Sequence, residues 1–113
     1  MSTHALLIGG SSGIGLALAK RLLAQSYQVT VISREPKGLP SEMNHISADI
    51  ADTEALLPVI DTSIDALVYL PGTIDLKPFG SLTLDRFKKE FDINFFGAVR
   101  AVQTYLPKLK ESS

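Results

Sequence analysis

One run constrains this chain more than any other: Ala5-Leu6-Leu7-Ile8-Gly9-Gly10-Ser11-Ser12-Gly13-Ile14-Gly15, an apolar strand that empties into a glycine-rich turn opening a helix. A strand that turns sharply into a helix needs a residue without a Cβ, the role read for Gly9. A second glycine lets the backbone approach a pyrophosphate, and a third lets the new helix pack closely on the strand. Behind them, Leu16-Ala17-Leu18-Ala19-Lys20-Arg21-Leu22-Leu23-Ala24 consists almost entirely of helix formers. The free N–H groups and positive dipole end of that helix suit an anion. The spacing is G-x-x-x-G-x-G, and no Gly-Lys-Ser/Thr follows, which excludes a Walker-type phosphate loop. A turn using glycine for geometry alone is the bland alternative, and the three glycines and two serines between strand and helix argue against it.

Beyond the turn, strand and helix patterns alternate. Strands are expected over residues 4–8, 28–33, 44–48 and 64–70, the second β-branched and the fourth closed by Pro71-Gly72. The first helix is expected over residues 13–25. Asp52 reads as the N-cap of a short helix through Leu56 and Leu57 that Pro58 kinks or ends. A long amphipathic helix is expected from Thr83, with an apolar stripe of Leu84, Phe87, Phe91, Phe95, Ala98, Val102 and Tyr105, and Pro107 near its end. Alternation of this kind implies an α/β fold, a Rossmann-like doubly wound parallel sheet with helices on both faces and strand order 3-2-1-4, as a single domain over residues 1–113.

Composition narrows the function classes. The 113 residues carry a formal net charge of −1, which gives no electrostatic reason to expect nucleic acid or an anionic membrane as partner. With no cysteine, disulfides and thiolate metal sites are excluded. His4 and His45 show no metal-ligand spacing and read as strand-end histidines. No stretch is long enough to span a membrane, and no basic segment precedes the first strand as in a signal peptide, so a cytoplasmic location is expected.

Three motifs together resemble the short-chain dehydrogenase/reductase family, and the resemblance covers essentially the whole chain. The loop Gly9–Gly15 is similar to the family's Thr-Gly-x-x-x-Gly-Ile-Gly, with Ile8 in place of the threonine. Asp49-Ile50 is similar to the acidic-aliphatic pair that contacts adenine in that family. Asp92-Ile93-Asn94-Phe95-Phe96-Gly97 is similar to its Asn-x-x-Gly on the long helix. The resemblance implies a nicotinamide cofactor gripped by Gly9, Ser11, Ser12, Gly13, Ile14, Gly15, Asp49 and Ile50, with Asn94 supporting a proton relay as well as clamping backbone. NAD-binding sheets place an acidic side chain at the end of the second strand. Here that strand ends Val31-Ile32-Ser33-Arg34, so Arg34, with a hydroxyl donor from Ser33, is expected to meet the 2′-phosphate of NADP, whereas Glu35 a residue later is the counterargument. At the end of the fourth strand the family's Asn-Asn-Ala-Gly is replaced by Tyr69-Leu70-Pro71-Gly72, which keeps Gly72 alone.

The family's acid/base tyrosine has a lysine four residues later. Tyr105 is followed at that spacing by Leu109, with Lys108 a residue too early, so Tyr105 reads as core. The expectation is therefore the cofactor-binding half of an NADP(H)-dependent oxidoreductase that transfers hydride to or from a carbonyl or alcohol substrate. The chain alone is expected to be inactive, since the catalytic half is read as absent. A non-catalytic NADP-binding or interaction module is the alternative. Strand four, with Leu67, Val68 and Tyr69, would be an open edge, and the long helix would carry an uncovered apolar face. Association with itself or with a missing half is expected on that ground.

Overall fold

Residues 4–8 order everything around them. The computed structural model describes residues 3–9, 13–36, 38–52, 54–71 and 78–111, and in it β1 (His4–Ile8) is buried along its whole length. Successive side chains of a strand point to opposite faces, so β1 feeds two cores. Ala5 and Leu7 pack with Ala19, Val29, Val31 and Met43. Leu6 and Ile8 pack with Ile32, Ile60, Ile64, Ala101 and Tyr105. A strand buried on both faces is the mark of a parallel sheet covered by helices.

The sheet is that one. β2 (Gln28–Ser33) and β4 (Ala66–Tyr69) flank β1, and β3 (Asn44–Ser47) lies outside β2, every pair parallel, in the order β3-β2-β1-β4. The order is the one expected from sequence. β4 is shorter than the expected 64–70: Ile64 turns away and its N–H donates to the Lys108 carbonyl (3.2 Å), while Leu70 still donates to Ile8 (2.9 Å). Pro71, lacking an N–H, stops the ladder there.

α1 (Gly13–Ala24) covers the Ala5/Leu7 face through Leu18, Ala19, Leu22 and Leu23. Its end is a Schellman-type turn. Ser26 N–H donates to Leu23 (3.0 Å) and Tyr27 N–H to Leu22 (3.0 Å), with Ser26 in the left-handed region at φ +69°.

Two expectations fail. Residues 52–57 form no helix among the described residues. The Asp49 carboxylate accepts from Ala51 N–H (3.0 Å) and the Asp52 carboxylate from Glu54 N–H (3.1 Å), local turns that compete with a helix. The Asp52 carbonyl, the first that such a helix would have bonded internally, accepts from Ala55 N–H in a tight turn (3.4 Å) and from Arg100, which also bonds the Ile50 carbonyl.

The expected long helix is broken into three parts: α2 (Leu84–Phe91), a π-helical turn (Asp92–Phe96) and α3 (Gly97–Glu111). Thr83 caps α2, its Oγ1 accepting from Arg86 N–H (3.3 Å). A π turn takes in an extra residue and rotates the helix beyond it, so the uniform 3.6 period names the wrong stripe. Leu84 is 76% exposed, Phe91 58%, Phe95 55% and Val102 46%, while Gly97, Ala101 and Tyr105 are buried. Of the expected stripe, Tyr105 alone is buried. Pro107 lies inside α3, four residues before its end at Glu111, near the end as expected.

Candidate functional site

The carboxyl ends of β1 and β2, the segment after β3 and the residues after β4 open onto one cavity of about 730 Å³. Open parallel sheets bind ligands there, beyond the strand ends and where the strand order reverses. In this sheet the reversal lies between β1, which pairs with β2 on one side, and β4 on the other.

Each wall has a local cause. Ile8 and Gly9 carry the chain out of β1, and Gly9 N–H donates to the Ile32 carbonyl at 2.7 Å. Gly9 has φ +80°, and a Cβ there would approach Pro71 Cδ and Cγ to 3.2 Å, so the turn both needs a left-handed residue and packs too closely for a side chain. Ile14 and Gly15, in the first turn of α1, form the next wall. Ile14 is 83% exposed, an apolar side chain presented to the cavity and not to the core. Gly13 opens the helix but does not line the cavity. Ser11, Ser12 and Gly72 lie outside the described residues.

At the end of β2, Ser33 and Arg34 line the cavity and Glu35 does not. Ser33 donates its hydroxyl proton to the Glu35 carbonyl (2.7 Å), and so accepts from His45 Nε2 at 2.9 Å. That proton is thus engaged within the chain. Arg34 is exposed and lines the cavity, and its carbonyl is held by Ser47 Oγ (2.9 Å), which fastens the strand end. Asp49, Ile50 and Ala51 follow from the end of β3. Ile50 also packs on the core beneath.

Asn94 is exposed in the π turn and donates from Nδ2 to Glu90 (3.1 Å). Its predecessor Ile93 lines the cavity, as Leu70 and Pro71 do. The π turn brings it there, and Tyr69 holds the turn. The Tyr69 hydroxyl donates to the Ile93 carbonyl at 2.6 Å, and a Cβ on Gly97 would collide with that hydroxyl. Burial raises the Tyr69 pKa above its usual 10, partly offset by the positive charge of Arg100.

The cavity therefore collects Gly9, Ile14, Gly15, Ser33, Arg34, Asp49 and Ile50 from four separate segments, and Ile93 of the π turn lines it too. Two residues that shape it were not among the site residues read from sequence. Arg100 bonds the carbonyls of Ile50 and Asp52, and its presence among apolar residues of α3 was the available signal. Tyr69 stands where the family's motif has an asparagine, and its hydroxyl bonds the Ile93 carbonyl of the π turn. Tyr105, expected as core, is 1% exposed; its hydroxyl donates to Pro58 (2.7 Å) and burial pushes its pKa up to about 12.

The residues fit a dinucleotide: backbone N–H groups and an exposed apolar residue at a helix start, a cation at the second strand end, and a carboxylate with an aliphatic neighbour after the third. The comparisons agree. A family model described as short chain dehydrogenase matches residues 3–113. The chain is 32% identical to 3-dehydrosphinganine reductase TSC10A of Arabidopsis thaliana, over 96% of this chain and 37% of that protein. It is 33% identical to retinol dehydrogenase 8 of Homo sapiens, over 93% of this chain and 39% of that protein. A short chain dehydrogenase family protein from Francisella tularensis superposes with TM-score 0.83 at 21% identity, over 96% of this chain and 47% of the other, a likeness of fold. The chain spans well under half the length of the curated relatives named here.

Proposed function

Starting from the fact that this chain belongs to the short-chain dehydrogenase family, we propose that it binds NADP(H) in the cavity at the sheet's carboxyl edge and serves hydride transfer between that cofactor and a carbonyl or alcohol substrate in the protein it belongs to. The observation that carries the reading is convergence. The glycine turn, the end of β2 and the Asp49–Ile50 pair, far apart in sequence, line one cavity at the reversal of strand order. Reduction of 3-dehydrosphinganine and dehydrogenation of retinol, the activities named for two relatives, support the carbonyl/alcohol chemistry.

In this reading Gly9 and the start of α1, with Ser11, Ser12 and Gly13, hold the pyrophosphate through backbone N–H groups and the helix dipole. Asp49 and Ile50 flank the adenine. Arg34 meets the 2′-phosphate with a permanent, planar charge, and no carboxylate at the end of β2 lines the cavity to oppose it. Bound NADP(H) supplies the hydride; the chain's part is to grip and orient it. Leu70, Pro71 and Ile93 give the cavity an apolar part that disfavours water, and Gly72 and Asn94, their neighbours in sequence, are read as a further cofactor contact and as support for proton transfer. Exposed Phe91, Phe95, Phe96, Val99, Val102 and Leu106 form an apolar surface along the π turn and α3, which supports association as a further part of the reading.

The test is fluorescence titration of the purified protein with NADPH and NADH. Tighter binding of NADPH is expected, and preference for NADH would overturn the assignment of Arg34.

A further inference from the structure

Arg100 stands in the first turn of α3, half-buried, with its guanidinium turned away from its own helix. Nη1 donates to the Asp52 carbonyl (3.2 Å) and Nη2 to the Ile50 carbonyl (3.1 Å). These carbonyls belong to the segment whose Asp49, Ile50 and Ala51 line the cavity. That segment is neither helix nor strand. The bonds from Ala51 and Glu54 to the Asp49 and Asp52 carboxylates give it local shape but do not fix where it stands against the sheet. Placement comes from Ile50 packing on the core and from the fork of Arg100. A rigid planar fork suits two carbonyls two residues apart as a flexible ammonium does not. A purely stabilising role fits poorly, because Arg100 Nε is buried and has no hydrogen-bond partner among the described residues. An unmatched buried donor is costly, and an apolar side chain would avoid it.

We propose that Arg100 is a positioning residue that fastens residues 49–52 to α3 and thereby sets the affinity of the cavity for the adenosine end of the dinucleotide. The proposal rests on reading the cavity as an NADP(H) site. Arg100 would touch no part of the cofactor; it acts through the backbone of Ile50 and Asp52.

The test uses Arg100→Met, which keeps the apolar stem and removes the donors, and Arg100→Lys, which keeps the charge without the fork. Calorimetric titration would use three probes: NADPH, adenosine 2′,5′-bisphosphate and reduced nicotinamide mononucleotide. Hydrogen exchange over residues 49–57 is followed alongside. Arg100→Met is expected to weaken NADPH and the bisphosphate by the same factor, about tenfold, and to leave the mononucleotide unchanged. Exchange at residues 49–57 should quicken, with Arg100→Lys intermediate in both readouts. A general loss of stability would weaken all three probes alike, and that result overturns the proposal. So does unchanged protection of residues 49–57, or unchanged affinity when the segment has loosened. Failure of the unsubstituted protein to bind NADPH would instead overturn the cofactor reading, and with it the claim on affinity; exchange would still decide whether Arg100 fastens the segment.

Discussion

Replacing Gly97 by alanine separates two opposite expectations. In an ordinary helix, glycine to alanine stabilises by about 1 kcal/mol, through lower backbone entropy in the unfolded chain and better helix propensity. Gly97 is not ordinary. A Cβ there would collide with the Tyr69 hydroxyl and come within 3.1 Å of Tyr69 Cζ and 3.0 Å of the Asp92 carbonyl. Neither neighbour yields easily, since the hydroxyl is anchored to Ile93 at 2.6 Å and the carbonyl belongs to the π turn. Forcing an extra carbon into a packed site costs about 1–3 kcal/mol, occasionally more. Outright collision with the Tyr69 hydroxyl puts this site at the upper end, about 2–3 kcal/mol, so after the propensity gain the net expected effect is a destabilisation of roughly 1–2 kcal/mol. Tyr69→Phe removes the colliding oxygen and leaves the Ile93 carbonyl without its donor, for a cost of about 1 kcal/mol. In the double variant the worst of the collision is gone, so the two costs should fall short of additivity by about 1 kcal/mol or more. Urea denaturation followed by circular dichroism measures all four corners of the cycle. A Gly97→Ala variant as stable as the parent, or strict additivity in the double variant, would refute the claim that Tyr69 and Gly97 pack as one latch on the π turn.

Other outcomes hang on single residues. Arg34→Leu should weaken NADPH by the worth of a charged hydrogen bond, about 1.5–3 kcal/mol or roughly 10- to 150-fold, with NADH little affected; equal losses for both in parallel titrations would reassign Arg34 to a general role. Ser26→Gly should raise stability by about 1 kcal/mol, because Ser26 holds a left-handed conformation at the end of α1, and a thermal melt reads it directly. Tyr69 and Tyr105 both have folded pKa values above their unfolded value of 10, to about 12 for Tyr105. Their contribution is therefore complete below pH 10 and lost as pH rises from there through about 12 for Tyr105, since the unfolded chain loses those protons first. Alkaline titration of tyrosinate absorbance against the unfolding transition checks this, and ionisation of both groups well before any loss of structure would contradict the burial argument.

Local sequence carried the sheet. The apolar run before Gly9, the β-branched residues of β2 and the spacing of strands with intervening helix patterns specify parallel strands and their order. Such signals depend only on neighbours along the chain, and right-handed crossovers leave few other arrangements. The glycine turn was legible for the same reason: positive φ and close approach to Pro71 at Gly9 are demands that few residues other than glycine meet. What local pattern could not give was the phase of a helix across a defect and the use of polar groups by distant partners. The stripe through Phe91 and Phe95 assumed one unbroken period, and the π turn shifted the buried face to Gly97, Ala101 and Tyr105. Residues 52–57 held a plausible cap and apolar residues, yet Arg100, 48 residues beyond Asp52, takes the Asp52 carbonyl, the first that a helix capped there would have bonded within itself. Sequence alone determined that this chain builds a glycine turn at the edge of a parallel sheet. Only the tertiary structure decided that Ile93 lines the cavity, that Tyr69 holds it there, and that an arginine on α3 secures the segment after β3, because each depends on contacts between segments with no local signature.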